Sequence, residues 1–185
     1  MDQGNLLTIP VVPWKVESVG NSHSQLLLEF YDREQTPLRR YVTMLGIDPE
    51  TARDIVQESF LKLHEHLLAG GEQSNLRAWL YRVVHNSARN RQASFGVKKT
   101  SRLEDMTPAA SPVARELTAE EELLEKERSA RLRQAMGRLS EAQRACVVLR
   151  TQGMKYREIA AALDLSVSTV GENIQRGLER LRELI

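Results

Sequence analysis

The chain is short of the residues that catalytic and metal sites usually require. It has one cysteine, Cys146, four histidines in 185 residues, and no glycine-rich phosphate-binding loop. A single cysteine forms no internal disulfide, so we expect Cys146 to be a small buried side chain in a reducing compartment. His64 and His66 are two residues apart on a predicted helix and point in different directions, so they share no metal. These shortages predict a protein that is not an enzyme and that holds no catalytic residue, metal or cofactor.

Long apolar runs are also missing. No segment approaches the roughly 20 apolar residues that a membrane-spanning helix needs. Residues 1–25 lack the basic region and apolar core of a secretory signal. Hydrophobic residues make up 41% of the chain and charged residues 28%, which leaves room for small cores but not for one large core. We therefore expect a cytoplasmic protein that does not insert into a membrane.

Apolar residues at three- and four-residue spacings predict an all-α fold. Residues 1–21 have no clear period and are expected to form a loosely held arm. A helical stripe then runs from about Ser22 to Gly46. Pro37 interrupts this stripe and Thr36 could cap a second helix, so the pattern predicts either one kinked helix or two consecutive helices.

The next predicted helix begins at Asp48, whose carboxylate caps it, and stops at Gly70. Its apolar residues fall on one face, which we expect to be buried: Ile55, Val56, Phe60, Leu63 and Leu67. Its outer face mixes polar and apolar side chains, among them Asp54, Gln57, Glu58 and Leu61. Such a face fits a protein-binding surface as well as it fits solvent.

Positive charge is concentrated in residues 76–102, which contain seven basic residues and no acidic one in a chain of formal charge +1. Asn75 is expected to cap a helix here. One helix face, which we call the basic strip, is predicted to expose Arg77, Tyr81, Arg82, His85, Asn86, Arg89 and Asn90. Cations bind phosphates, amides read base edges and rings stack on bases. The strip therefore predicts a nucleic-acid surface, with an ordinary solvated face as the alternative.

The charge reverses in residues 103–127, where eight acidic residues stand against two basic ones. Two prolines and this reversal predict a flexible linker whose last part merges into a helix. The chain is therefore expected to form two small helical domains, residues 22–102 and 128–185, on either side of the acidic linker.

The C-terminal residues predict four helices. The apolar side of the first is expected to hold Leu123, Leu124, Leu132, Ala135, Met136 and Leu139. Ser140 caps the second. A short helix from Tyr156, a tight turn at Asp164 and a longer helix capped by Ser166 form a helix-turn-helix.

The last helix is expected to bury Val167, Val170, Ile174, Leu178, Leu181 and Leu184. It would then present to the DNA major groove Ser168, Thr169, Gly171, Glu172, Asn173, Gln175 and Arg176. A structural or protein-binding module is the alternative for this helix pair.

Three motifs in fixed order resemble the extracytoplasmic-function (group IV) sigma factors of bacterial RNA polymerase. The first is DIVQESFLK at residues 54–62, and the second is LRAWLYRVV at residues 76–84 with Asn86. The third combines LSE at 139–141, YREIA at 156–160, SVSTV at 166–170 and ERLR at 179–182. The resemblance covers about residues 24–95 and 128–185.

The resemblance implies a subunit that binds core RNA polymerase and directs promoter recognition, strand opening and transcription initiation. One surface would grip the largest polymerase subunit, through Asp54, Gln57, Glu58, Phe60 and Leu61. A second would open and read the minus-ten element on the non-template strand, through Arg77, Trp79, Arg82, Asn86, Arg89, Asn90, Arg91, Lys98 and Lys99. Within that set, the two asparagines would take a flipped base and Arg82, Arg89 and Arg91 would hold phosphates.

By the same resemblance, the C-terminal domain would read the minus-thirty-five element and dock on the flap of the second-largest subunit. Its DNA-contacting residues would be Tyr156, Arg157, Ser168, Thr169, Gly171, Glu172, Asn173, Gln175 and Arg176. The resemblance also implies an anti-sigma factor that masks both domains. The alternative is a sigma-like regulator that binds DNA or polymerase without starting transcription.

The chain departs from the family pattern at Gly171, Glu172 and Asn173, where the family usually has a lysine and further polar or basic residues. A glycine within a helix costs about 1 kcal/mol relative to alanine. Glu172 repels phosphates, although a glutamate can accept a hydrogen bond from a cytosine amino group. We therefore expect weaker or altered reading of the minus-thirty-five element.

Overall fold

The computed structural model describes residues 16–94 and 118–184, with side chains from residue 23 onward. These residues form helices and no strand, which confirms the all-α class. The helices are α1 (Val16–Met44), α2 (Pro49–Leu68), α3 (Leu76–Ser94), α4 (Ala119–Gly137), α5 (Glu141–Thr151), α6 (Tyr156–Leu163) and α7 (Val167–Leu184). Predictions for the first 15 residues, the linker up to residue 117, Lys98 and Lys99 lie outside the described residues. No helix within the described ranges is long and apolar enough to cross a membrane.

Helices α1 to α3, the N-terminal module, pack around a shared apolar core. Helix α1 is one helix with Pro37 inside it, so the prediction of a second helix capped by Thr36 is wrong. Proline removes one backbone hydrogen bond, but Leu38, Tyr41 and Val42 directly after it are fully buried. We attribute the continuation of α1 to this packing. The helix also begins within the predicted arm, at Val16.

Local signals fix the ends of α2 as predicted. Asp48 Oδ1 accepts a hydrogen bond from Thr51 N at 2.9 Å, and Pro49 occupies the first turn. Gly70, with φ of +72°, follows the helix. The predicted apolar face of α2 is buried against α1 and α3, so its opposite face is presented outward.

Helices α4 to α7, the C-terminal module, contain the predicted helix-turn-helix. Ser140 and Gln143 form a reciprocal capping box at the start of α5. Asp164, with φ of +55°, makes the turn between α6 and α7. Ser166 Oγ then accepts a hydrogen bond from Thr169 N at 3.0 Å, as expected of a capping serine.

Several apolar side chains predicted to be buried in this module are exposed. On α4 these are Leu123, Leu124 and Leu132; on α7 they are Val167, Leu178 and Leu184. Helix α4 packs through its last part only, where Ala135, Met136 and the following Leu139 are buried. The short helices α5 and α6 cover only the segment of α7 around Val170, Ile174 and Gly177. Periodicity therefore identified the helices but overestimated their buried faces.

Candidate nucleic-acid and polymerase interfaces

The structure divides the basic strip into a buried and an exposed part. The prediction that Tyr81 and His85 are exposed is wrong, because they are 0% and 7% exposed. Helix α1 covers this side of α3, and Tyr41 of α1 lies with its hydroxyl 2.8 Å from Nδ1 of His85. The Tyr81 hydroxyl donates to the Glu34 carboxylate at 3.4 Å. Both rings are therefore packing residues of the N-terminal module.

The rest of the strip reaches the surface. Arg82, Asn86, Arg89 and Asn90 are exposed, and Arg91 is half-buried. Asn86 and Asn90 are four residues apart, so their amides lie on the same side of the helix, one turn apart. Helix α3 carries no acidic residue along its whole length. Its exposed side therefore offers cations for phosphates and amides for bases without a carboxylate on the same helix, although Glu141 of α5 lies 3.3 Å from Arg89.

Arg77 is held within the N-terminal module. Its Nε lies 3.1 Å from Oε1 and 3.2 Å from Oε2 of Glu34, whose side chain is almost fully buried. Glu34 was not among the residues predicted from the sequence. The available signal was its position four residues from both Phe30 and Leu38, on the apolar side of α1, where an acidic residue needs a partner.

Trp79 is half-buried and stacks on His66 of α2, with the ring centroids 4.6 Å apart. The His66 ring donates from Nε2 to the carbonyl of Glu72 at 3.0 Å. The stacking of Trp79 on His66 ties α3 to the end of α2. Packing therefore accounts for the half-buried position of Trp79. Its role in opening the minus-ten element stays a prediction.

The candidate polymerase surface lies on α2. Asp54, Gln57, Glu58 and Leu61 are exposed, and Leu61 is 65% exposed. Phe60 points the other way: it is 6% exposed, and its ring packs edge-on against Tyr31 at 5.0 Å. Phe60 therefore supports this surface from beneath, and the other four side chains are the ones that can contact a partner.

The candidate duplex-DNA surface lies on α7 and the start of α6. Ser168, Glu172, Gln175 and Arg176 are exposed, while Thr169, Gly171 and Asn173 are half-buried. Arg157 is exposed, and Tyr156 packs beneath the guanidinium of Arg150, 5.6 Å from its ring centre.

Hydrogen bonds within α7 occupy part of this surface. Asn173 Nδ2 donates to the carbonyl of Thr169 at 2.9 Å. Glu172 Oε2 lies 3.2 Å from Nη2 of Arg176. This ion pair offsets part of the repulsion that Glu172 would exert on a phosphate, and it occupies a cation that could otherwise bind one.

Burial governs the titration of the buried polar groups. It lowers the pKa of His85, a shift that Glu141 opposes and Arg89 reinforces. Burial raises the pKa of the Tyr41 hydroxyl well above its usual value. Burial also raises the pKa of Cys146 to about 11, so the thiol stays protonated and unreactive, as expected of a packing residue. Among the described residues, no group of His, Cys, Asp or Glu is arranged to hold a metal ion.

Comparison with known proteins places both modules in one family. The chain matches Sigma-70 region 2 over residues 30–94 and Sigma-70 region 4 over residues 129–181. It is 34% identical over 185 residues to an ECF RNA polymerase sigma-E factor of Salmonella typhimurium, covering 95% of this chain and 93% of the relative. It is 28% identical over 159 residues to the sigma factor SigZ of Bacillus subtilis, covering 85% of each chain.

Two solved structures share the fold. The sigma factor RpoE of Bartonella quintana, in complex with the anti-sigma factor NepR, matches with a TM-score of 0.64 and 22% identity, covering 89% of this chain and 96% of that one. CnrH in complex with the cytosolic domain of CnrY matches with a TM-score of 0.62 and 24% identity, covering 91% and 92%.

These matches span both modules in the expected order, and the chain belongs to the extracytoplasmic-function sigma factors of RNA polymerase. It is a non-enzymatic subunit that binds core RNA polymerase and promoter DNA and directs promoter-specific initiation of transcription.

Proposed function

We propose that the N-terminal module divides its work between two helices. Helix α2 binds the largest polymerase subunit through Asp54, Gln57, Glu58 and Leu61. Helix α3 binds the non-template strand of the minus-ten element. The observation that carries the proposal is that α3 exposes Arg82, Asn86, Arg89 and Asn90 and has no acidic residue. The cations can bind the phosphates of a single strand, and the amides can form hydrogen bonds with an unstacked base.

Several further assignments belong to the same proposal. Residues 22–102 and 128–185 form the two functional domains, joined by the acidic linker 103–127. Lys98 and Lys99 extend the minus-ten surface beyond α3. The exposed residues of α7, with Tyr156 and Arg157, read the minus-thirty-five element, while this domain also docks on the second-largest subunit.

The location and regulation of the protein are also proposed. Its binding partner, core polymerase, acts in the cytoplasm, which is where we place this chain. One solved neighbour, RpoE, is a sigma factor bound to the anti-sigma factor NepR. By this similarity we propose an anti-sigma factor as a further partner.

Run-off transcription with core polymerase on a promoter library tests the division of work. Arg89→Glu should reduce open-complex formation about tenfold, the effect of losing one charge-assisted contact, with little change in core binding. Asp54→Arg with Glu58→Arg should reduce core binding first. Arg128→Glu on α4 and the pair Glu29→Arg with Asp32→Arg on α1 are matched controls at other exposed positions. Equal loss of both activities in both test variants would contradict the assignment.

A further inference from the structure

Glu172 lies at the centre of the outward face of α7. It stands two residues from Val170 on one side and two from Ile174 on the other, and both of these side chains are buried. On a helix of 3.6 residues per turn, two residues correspond to about 200°, so Glu172 points away from the rest of the module. It also falls within the first two turns of α7, the part of a recognition helix that contacts base edges.

The residues beside Glu172 leave room for DNA to approach its carboxylate. Ser168, one turn earlier on the same face, is exposed and has a short side chain, and Gly171 has no side chain. A glycine allows a ligand to come close to the helix backbone. Glu172 is therefore the first long side chain on the outward face, and it extends further from α7 than either of these neighbours.

Arg176 holds the carboxylate of Glu172 without covering it. Nη2 of Arg176 lies 3.2 Å from Oε2 of Glu172, so the contact joins one nitrogen to one oxygen. The two side chains are 66% and 60% exposed, and an ion pair so open to water contributes little to stability. It does place a positive charge beside the carboxylate, which reduces the repulsion from nearby phosphates. Because a carboxylate has two acceptor oxygens, Glu172 can still accept a hydrogen bond from a base.

We propose that Glu172 is a specificity-determining residue that accepts a hydrogen bond from the amino group of a cytosine in the minus-thirty-five element. An ionised carboxylate only accepts hydrogen bonds, and the amino donors in the major groove are N4 of cytosine and N6 of adenine. Adenine presents its N6 donor beside the N7 acceptor, which a carboxylate repels, whereas the cytosine edge presents only the donor. The inference rests on the proposed role of α7 as the reader of this element.

Transcription by the holoenzyme tests the inference on the full chain. The templates derive from a promoter that the native holoenzyme transcribes, with the minus-thirty-five region randomised, and the transcripts from each template are counted by sequencing. At one position of the region, we expect cytosine on one strand to be favoured over the other bases by at least about fivefold. This is the lower end of the discrimination that one good base contact provides.

Two substitutions of Glu172 separate base reading from a structural role. Glu172→Ala should abolish the preference for cytosine at that position and leave the preferences at the other positions unchanged. Glu172→Gln should shift the preference towards adenine, because a glutamine amide pairs with N6 and N7 of adenine. A merely structural defect lowers transcription from all templates and creates no new preference.

Glu179→Gln is the matched control. Glu179 is an exposed glutamate seven residues further along the same side of α7, and it also contacts a side chain four residues away, that of Gln175. It lies beyond the first two turns of the helix. The control should therefore keep the native sequence profile.

The outcomes distinguish this inference from the proposed function. A Glu172→Ala holoenzyme with the native profile would overturn the inference, as would a Glu172→Gln holoenzyme whose only change is lower transcription from every template. In both cases the native preferences would still show that α7 reads the element. If the native holoenzyme has no sequence preference anywhere in the randomised region, α7 does not read the element and both proposals fail.

Discussion

Arg77 on α3 and Glu34 on α1 form an ion pair in which the guanidinium Nε lies 3.1 Å from Oε1 of a carboxylate that is 2% exposed. The Tyr81 hydroxyl donates to the same carboxylate. Glu34 therefore fixes α3 against α1 at the start of the basic strip. Arg77 is the one cation of the strip that is neutralised within its own module. We therefore assign it the role of positioning α3 against α1, in preference to a direct contact with a phosphate.

Glu34→Gln should destabilise the N-terminal module by about 2 kcal/mol. Breaking a buried pair costs about 3–5 kcal/mol, and we reduce this figure because the Arg77 side chain is 27% exposed and remains partly solvated. Glu29→Gln, one turn or so away at an exposed position of α1, is the matched control. Denaturant unfolding of both variants provides the measurement, and equal midpoints would show that the pair contributes nothing.

Features set by neighbouring residues could be predicted from the sequence. Asp48, Ser140 and Ser166 cap helices through hydrogen bonds to residues three positions away. Asp164 makes the predicted turn. These are local events that depend on a few adjacent residues, which is why the helix-turn-helix and the boundaries of α2 were predicted correctly.

Features that depend on distant residues could not be predicted in this way. Tyr81 and His85 looked exposed because nothing near them in sequence shows that Tyr41 covers that side of α3. The contact between Arg82 and Ala161 joins residues 79 positions apart. The exposed leucines of α4 are the converse case, since an apolar side of a helix is buried only where another element reaches it.

Two glycines of α7 should respond in opposite ways to alanine. A Cβ on Gly177 would lie 2.8 Å from Cγ2 of Val147 on α5, whereas a Cβ on Gly171 would meet only the Tyr156 ring, at 3.7 Å. Overpacking costs about 1–3 kcal/mol, and alanine recovers about 1 kcal/mol of helix propensity. Gly177→Ala should therefore lose about 1 kcal/mol of stability and Gly171→Ala should gain up to about 1 kcal/mol. Thermal or denaturant unfolding measures both, and a stabilising Gly177→Ala would contradict the close packing of α5 on α7.

Gly171→Lys should strengthen binding to duplex DNA. A Cβ at residue 171 would make only an ordinary van der Waals contact with the Tyr156 ring, so a larger side chain can be accommodated. A lysine there would add a cation to a surface where Glu172 already pairs with Arg176. The slope of log affinity against log salt concentration should steepen by about 1, as expected for one added phosphate contact. Gly171→Gln is the uncharged control. Identical salt slopes for the lysine and glutamine variants would show that residue 171 does not face the DNA backbone.

The buried His85 should make the stability of the N-terminal module depend on pH. Burial, with Arg89 as a further cause, lowers the pKa of His85 from its ordinary value of 6.5, and Glu141 opposes the shift. Below pH 6.5 the unfolded chain therefore binds a proton at His85 more readily than the folded chain does. As the pH decreases below 6.5, the free energy of unfolding therefore decreases as well. The contribution of a neutral His85 is complete above pH 6.5 and is lost progressively as the pH decreases.

His85→Gln isolates this effect, because the glutamine amide can still accept a hydrogen bond from the Tyr41 hydroxyl but does not titrate. Denaturant unfolding between pH 5.5 and pH 7.5 should show a steeper loss of stability on acidification for the native chain than for the variant. Titration of the other histidines and of the carboxylates is common to both chains and cancels in the difference. Parallel curves for the two proteins would mean that His85 is protonated as readily in the folded chain as in the unfolded one, and would contradict its burial beneath α1.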